Sequence, residues 1–349
     1  MSHRLVRLAT DAQERERISA KIRSAMAAGP RFFDVQKYGR EVSRVLEEVV
    51  LAERKTEAVP ASKEIVRRAE TALVSGRLGE VEDLCRYLLE REPATAACWA
   101  LLAELARRCG DLSYASDLIS QAVELEPNRA DFWSALGEIR RENADSDGAM
   151  EAFNRALELS SALPNAWLGK AVVHAGRKEF AEAEKAYSQA LVSSKDRVET
   201  ARIRVSFASF LKEQKRIKEA IKQMHQAVSA APDSCETMLL LGSFLRESGD
   251  LVEAASTFSR VVKKFPDSAK GWIEWGNVLL LSGKCGEAVE KMRKAVACQP
   301  DDPDALFNLG HALQRNGQRT EALQAYRDAE RAGCDAEDLH TRIGALLKE

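Results

Sequence analysis

The sequence contains few of the residues that build metal sites, membrane spans and large aromatic cores. Aromatic residues make up 6% of the 349 residues, whereas hydrophobic residues reach 45%. The seven cysteines form no CxxC pair and have no histidine cluster beside them, which excludes a zinc framework. No apolar run approaches the roughly 20 residues of a transmembrane helix, so we expect no membrane span. The Ala- and Leu-rich remainder favours many helices.

Neither sign of charge dominates the chain. It has 52 basic and 54 acidic residues, for a formal net charge of −2. No basic footprint for nucleic acid is therefore visible, and a nucleic-acid partner is disfavoured. The first residues, MSHRLVRLATDAQERER, lack the apolar segment of a signal peptide. Scattered thiols are typical of small core residues in a reducing compartment, so we expect a cytoplasmic protein.

The sequence also lacks the short motifs of common catalytic and cofactor sites. None of the five histidines lies four residues from another metal ligand; they are His3, His174, His225, His311 and His340. Walker, GxGxxG, GxSxG and DxDxDG sequences are missing, and with them the minimum residues for phosphate cradling, a nucleophile elbow or calcium binding. The sequence thus predicts no catalytic residue, no metal and no cofactor.

What the chain does contain is a repeat of 34 residues. Eight segments align without internal gaps, and a three-residue insertion, Val198 to Thr200, separates the fourth from the fifth. The segments are 62–95, 96–129, 130–163, 164–197, 201–234, 235–268, 269–302 and 303–336. A fixed period of this length indicates a stack of identical supersecondary units.

Each segment carries the same pattern of small, bulky and helix-ending residues. Position eight is always Gly or Ala, and position 20 is Ala in every copy except the first, which has Val81. Small residues at both positions let two helices cross at the usual separation of about 8–10 Å. Position 24 supplies bulk in most copies: Phe153, Tyr187, Met224, Phe258, Met292 and Tyr326. Each segment is therefore predicted to be a hairpin of two helices.

Turn residues mark where each helix of the hairpin ends. Glycines suited to a left-handed cap follow the first helix in four copies: Gly110, Gly249, Gly283 and Gly317. Prolines, which cannot continue a helix, close the second helix in five copies: Pro93, Pro127, Pro232, Pro266 and Pro300. The fourth and fifth copies depart from the pattern at Lys170 and Arg204, beside the insertion, so we expect the array to bend or loosen there.

These residues, with Trp at position four in half the copies (Trp99, Trp133, Trp167 and Trp272), resemble the tetratricopeptide-repeat (TPR) family. The resemblance implies an all-α fold, a right-handed TPR superhelix (α-solenoid) of eight helix-turn-helix repeats. The first helix of each repeat would line a concave face with its positions two, five, nine and 12. Residues 337–349 read as a capping helix with an apolar stripe.

Residues 1–58, followed by a linker at 59–61, are predicted to form two amphipathic helices broken by Gly29-Pro30. The simplest interpretation is a helical pair that docks on the first repeat. The segment also resembles the C-terminal tail of bacterial SPINDLY-like O-linked N-acetylglucosamine transferases, in Leu8, Ala9, Asp11, Phe33-Asp34, Tyr38 and Glu41. That resemblance would make the chain an accessory or a split fragment of such a system, without a catalytic domain.

The predicted groove differs in character between its two halves. Repeats two and three supply mainly charged residues: Glu104, Arg107, Asp131, Glu138 and Arg141. Repeats six to eight supply the candidate partner-binding residues Leu239, Ser243, Lys270, Ile273, Asn277, Leu280, Phe307, Asn308 and His311. Clustered apolar residues in a concavity favour a peptide site here. The alternative is that Ile273 and Leu280 pack against adjacent repeats.

Two known TPR binding chemistries are incomplete in this groove. A carboxylate clamp would need Lys where Ile273 stands, although Asn277 and Asn308 match its asparagines. An asparagine ladder would need Asn at position six of successive repeats, but only Asn308 provides one. The leading hypothesis is a non-catalytic scaffold that binds a protein or peptide. The alternatives are a glycosyltransferase accessory and a self-assembling structural protein, and the oligomeric state is left open.

Overall fold

The computed structural model describes residues 62–348, and every regular element in that range is an α-helix. The predicted helical pair at 1–58 and linker at 59–61 lie outside the described residues. The all-α prediction is confirmed for the described part, where consecutive helices pack in pairs as in a TPR solenoid. No described helix is both long and apolar enough to cross a membrane.

Contacts divide the described chain into two units. The N-terminal unit ends at Asp145 and the C-terminal unit begins at Ser146, so the division falls between the two helices of the third repeat. The N-terminal unit holds α1 Ser62–Val74, α2 Leu78–Leu89, α3 Ala96–Arg108, α4 Leu112–Leu125 and α5 Ala130–Glu142. The C-terminal unit holds the remaining twelve described helices and the candidate partner-binding residues.

The C-terminal unit continues the alternation of first and second helices. Its helices are α6 Ser146–Leu159, α7 Pro164–Gly176, α8 Phe180–Ser193, α9 Arg197–Glu213, α10 Ile217–Ala230, α11 Cys235–Glu247, α12 Leu251–Lys264, α13 Ala269–Leu281, α14 Cys285–Cys298, α15 Pro303–Arg315, α16 Arg319–Arg331 and α17 Leu339–Lys348. The three-residue insertion does not form a loop. It lies within α9, which has 17 residues where α7, α11, α13 and α15 each have 13.

The packing around α9 matches the expected loosening in part. The contact between α8 and α9 is sparser than the contacts between the other consecutive repeats of the C-terminal unit. Aromatic side chains make that contact: the rings of Tyr187 and Phe207 stack with centroids 4.8 Å apart, and Phe210 lies 5.5 Å from Tyr187. The insertion is thus accommodated by an added helical turn and an aromatic cluster.

The helix crossings in the C-terminal unit are as close as the small-residue pattern predicts. The alanines at position 20 that lie in this unit are fully buried, among them Ala220, Ala254 and Ala288. A Cβ atom added to Gly242 would lie 2.5 Å from the ring of Phe258, and one added to Gly310 would lie 2.6 Å from the ring of Tyr326. The bulky residue at position 24 therefore fills the space that the glycine leaves.

The left-handed residue after the first helix is present in all eight repeats. The four predicted glycines have positive φ, as does Gly76 in the first repeat. In repeats three, four and five the same position is taken by Ala144, Lys178 and Lys215, with φ between 60° and 62°. The backbone thus keeps the same left-handed turn even in the three repeats where a Cβ atom makes that conformation unfavourable.

We expect a reciprocal pair of substitutions at this turn to move stability in opposite directions. Gly249→Ala should lower the free energy of unfolding by about 1 kcal/mol, because a Cβ there meets no atom and the cost is that of the left-handed backbone alone. Ala144→Gly should raise it by up to about 1 kcal/mol. Denaturant titration of both variants measures the two shifts, and shifts of the same sign would contradict this account.

Enlarging the alanine at a helix crossing should lower the free energy of unfolding by more than the change at the turn does. Ala254→Leu is expected to destabilise the protein by about 1–3 kcal/mol, because the added carbons enter a fully packed contact. The matched control is Val252→Leu on the same helix, where the side chain is 84% exposed. Equal denaturation midpoints for the two variants would show that Ala254 does not lie at a crossing.

Candidate peptide-binding groove

The first helices of repeats six to eight form a continuous layer. Helix α11 contacts α13, and α13 contacts α15, in addition to the contacts that each makes with its own hairpin partner. Residues four positions apart share one face of a helix. Leu239 and Ser243, Ile273 and Asn277, and Phe307 and His311 therefore each share one face of their own helix.

The nine candidate residues differ in how much surface they offer. Lys270 is exposed; Leu239, Ser243, Ile273, Asn277, Phe307, Asn308 and His311 are half-buried. Leu280 is only 7% exposed and belongs to the hydrophobic core that α13 to α17 enclose. This burial favours the alternative that Leu280 packs against adjacent helices, and its side chain offers little surface to a partner.

The three remaining apolar candidates have two roles. Leu239, Ile273 and Phe307 each pack one side against the core while the other side stays at the surface. The ring of Phe307 lies 5.6 Å from that of Tyr326, tilted by 52°. These side chains are therefore held in place by the core, and a ligand would meet ordered apolar groups.

Helix α17 supplies a residue at this surface that sequence reasoning missed. The guanidinium carbon of Arg342 lies 5.7 Å from the centroid of the Phe307 ring, within the range of a cation–π contact. Arg342 is held by Asp338, which accepts a hydrogen bond from its Nε at 2.5 Å. The arginine lies more than 30 residues from Phe307, so no local sequence signal could have indicated this contact.

The ring of His311 lies in the electrostatic field of the same arginine. Burial lowers the pKa of His311, and the positive charges of Arg342 and Arg315 lower it further, against an opposing effect of Asp338. These effects favour the neutral ring, which offers one donor and one acceptor nitrogen. Asn308 donates its amide N–H to the carbonyl of Asp304 at 2.7 Å, which leaves its side-chain oxygen as an acceptor.

An ion pair that the sequence did not indicate lies between α11 and α13. The Nε of Arg246 is 3.5 Å from the Oε2 of Glu274, and both atoms are buried without a hydrogen-bond partner in the described structure. Arg246 occupies position 12, one of the groove positions that the family resemblance implies. Glu274 neutralises Arg246, whereas the described residues provide no carboxylate within 4 Å of Lys270.

The charged groove residues of the N-terminal unit form ion pairs with neighbouring side chains. Arg107 contacts Glu104 at 2.7 Å and Glu142 at 2.9 Å, and Arg141 contacts Glu138 at 2.8 Å. The hydrogen bonds that Arg107 donates to Glu104 and Glu142 raise the pKa of Arg107. A partner would have to compete with these internal pairs, so this surface offers less net attraction than its composition suggests.

Within residues 62–348, no group of three or more His, Cys, Asp or Glu side chains is arranged to hold a metal ion. The described cysteines are unpaired thiols; Cys85 and Cys98 are buried, and Cys109 is exposed.

Four family models match the chain. One described as "TPR repeat" matches residues 276–317, and three described as "tetratricopeptide repeat" match residues 211–272, 100–164 and 303–332. No curated protein matches the chain. The matched ranges include all of α11 and α15 and all of α13 except residues 273–275.

Two solved structures show what the chain is similar to. The C-terminal part of a TPR repeat-containing protein from Cytophaga hutchinsonii is 13% identical, with a TM-score of 0.54 over 69% of this chain and 98% of that chain. This likeness concerns the fold alone. YrrB, described as a TPR protein with an unusual peptide-binding site, is 22% identical, with a TM-score of 0.42 over 55% of this chain and 97% of that chain.

The environment of His311 gives a prediction on pH dependence. We expect NMR titration to place its pKa below the ordinary value of 6.5, and Arg342→Gln to move it upward, because one of the opposing charges is removed. A folded-state pKa below the unfolded one means that unfolding takes up a proton, so this group lowers stability as the pH falls below about 6.5. A downward shift in Arg342→Gln would contradict the placement of α17.

Proposed function

We propose that this chain of tetratricopeptide repeats is a non-catalytic scaffold that binds an extended peptide or a helix of a protein partner on the first helices of repeats six to eight. The observation that carries the proposal is the surface of α11, α13 and α15. It presents Leu239, Ile273 and Phe307 half-exposed in one layer, with polar side chains between them.

The chemistry of this surface favours a peptide over a small molecule. Its apolar groups, Leu239, Ile273 and Phe307, are spread over three helices. An extended peptide or helix can contact such spaced anchors at once, whereas a small molecule cannot. Binding energy in grooves of this type is concentrated in a few apolar or aromatic anchors.

The polar groups suggest which part of a partner they would contact. Lys270 is exposed, and the Asn277 and Asn308 amides lie half-buried on the same layer. We propose that the amides orient the partner's backbone and that Lys270 attracts an acidic group. Without a lysine at Ile273, the full carboxylate clamp is not proposed.

The proposal of a scaffold without catalysis rests on how the charged groups are used. Two carboxylates near the groove are held in ion pairs: Glu274 pairs with Arg246, and Asp338 pairs with Arg342. A general acid or base would need a proton-accepting group aimed at open space. The accessory role beside a glycosyltransferase stays an expectation, since the segment that suggested it lies outside the described residues.

A peptide selected from a random display library against the full chain provides the test. Titration calorimetry should show that Phe307→Ala weakens binding of that peptide by about 1–3 kcal/mol, and that Lys270→Gln weakens binding of acidic sequences. Arg107→Ala should cost less than about 1 kcal/mol, because Arg107 is already paired.

Two controls separate loss of the site from loss of the fold. Val252→Ser changes an 84% exposed apolar side chain on the second helix of repeat six and should leave binding unchanged. Thermal unfolding of Phe307→Ala must show that the variant is folded at the titration temperature. A larger loss for Arg107→Ala than for Phe307→Ala would move the site to the N-terminal unit.

A further inference from the structure

A cavity of about 330 Å³ opens between the start of α9 and the end of α10, away from the residues of the proposed peptide site. Its lining includes three cationic side chains, Lys195, Arg197 and Arg204, together with the amide of Gln226. No carboxylate is part of that lining. The cavity lies entirely within the C-terminal unit.

The cavity lies beside position four of the fifth repeat, which holds an arginine. In four other repeats this position is a tryptophan whose indole N–H donates to the backbone carbonyl six residues earlier, as Trp167 does to Ser161 at 2.9 Å and Trp272 to Pro266 at 2.8 Å. The fifth repeat has Arg204 instead. The backbone carbonyl six residues earlier belongs to Val198, which lies inside α9 because of the insertion. The usual partner of this position is therefore not available.

Arg204 consequently turns toward α10. It donates to the side-chain oxygen of Gln223 at 2.7 Å and to that of Gln226. Both partners are neutral amides, so the arginine is half-buried without a counter-ion. Burial without a compensating charge is costly for a guanidinium, and it lowers the pKa of Arg204. An anion in the cavity would supply the missing charge.

The other two cations are also without a carboxylate. Neither Lys195 nor Arg197 forms an ion pair with a described residue. The nearest acidic groups along the chain are engaged elsewhere: Asp196 caps α9 by accepting from the backbone N–H of Glu199 at 2.8 Å, and Glu199 accepts from the Ser194 hydroxyl at 2.9 Å. Elsewhere most arginines of the described chain have a carboxylate within 4 Å, as Arg216 and Arg293 do.

We propose that this cavity is an anion site that takes a phosphate monoester. A phosphate group carries close to two negative charges at pH 7 and three acceptor oxygens, so it fits a lining with three cations better than a singly charged carboxylate does. Arginine offers paired N–H donors to such oxygens, and Gln226 keeps its amide nitrogen as a further donor while its oxygen accepts from Arg204. This site is independent of the proposed peptide groove.

The test uses the full chain and inorganic phosphate, so it needs no knowledge of the natural ligand. In NMR spectra selective for arginine Nε–H groups, added phosphate should shift the signals of Arg197 and Arg204 along a saturable curve. Sodium chloride at the same ionic strength should not. Titration with O-phosphoserine and with a phosphoserine peptide then distinguishes a free ion from a phosphorylated protein, according to which binds more tightly.

Variants establish whether the shifts arise in the cavity. Arg204→Gln should weaken phosphate binding at least tenfold, and so should the double variant Lys195→Gln with Arg197→Gln, which leaves the contacts between α9 and α10 untouched. The matched control is Lys218→Gln, which removes one exposed charge from α10 outside the cavity. Non-saturable shifts, equal shifts with chloride, or equal weakening by Lys218→Gln would each overturn the proposal.

Discussion

The close crossing of two helices is the contact on which the rest of this structure depends. At each crossing described in the C-terminal unit a Gly or Ala faces a buried alanine, and a bulky residue one turn farther along fills the remaining space, as Phe258 does beside Gly242. Because the helices approach so closely, the side chains at other positions are forced outward into the layer between repeats. The groove residues Leu239, Ile273 and Phe307 are in turn held on one side by this core, as Phe307 is by Tyr326.

The same repetition explains why functional candidates appear where the pattern fails. A strict copy at position four would place a tryptophan against the preceding turn, as Trp272 is placed. In the fifth repeat the arginine and the added turn of α9 leave a cavity and an arginine without a counter-ion. A regular array buries its units uniformly, and a local departure exposes polar groups that regular copies would cover.

Charged side chains are paired on the surface of the N-terminal unit, whereas several cations of the C-terminal unit are not. In the N-terminal unit, Arg107 and Arg141 are paired with glutamates, so the charges rigidify the surface more than they attract a ligand. In the C-terminal unit, Lys270 and the three cations of the cavity lack such pairs. A nearly neutral chain can thus present local positive sites without a net charge that would draw nucleic acid.

The 34-residue period, most of the helix ends and the small-residue crossings could be predicted from the sequence. They depend on interactions within a few turns, such as the left-handed cap at Gly249 or the alanine at 254, and they recur eight times. The tertiary structure alone decided that Leu280 is buried, that Arg342 lies against Phe307, and that Arg204 turns toward α10. These outcomes depend on side chains from other helices, whose approach is set by packing angles that no local pattern encodes.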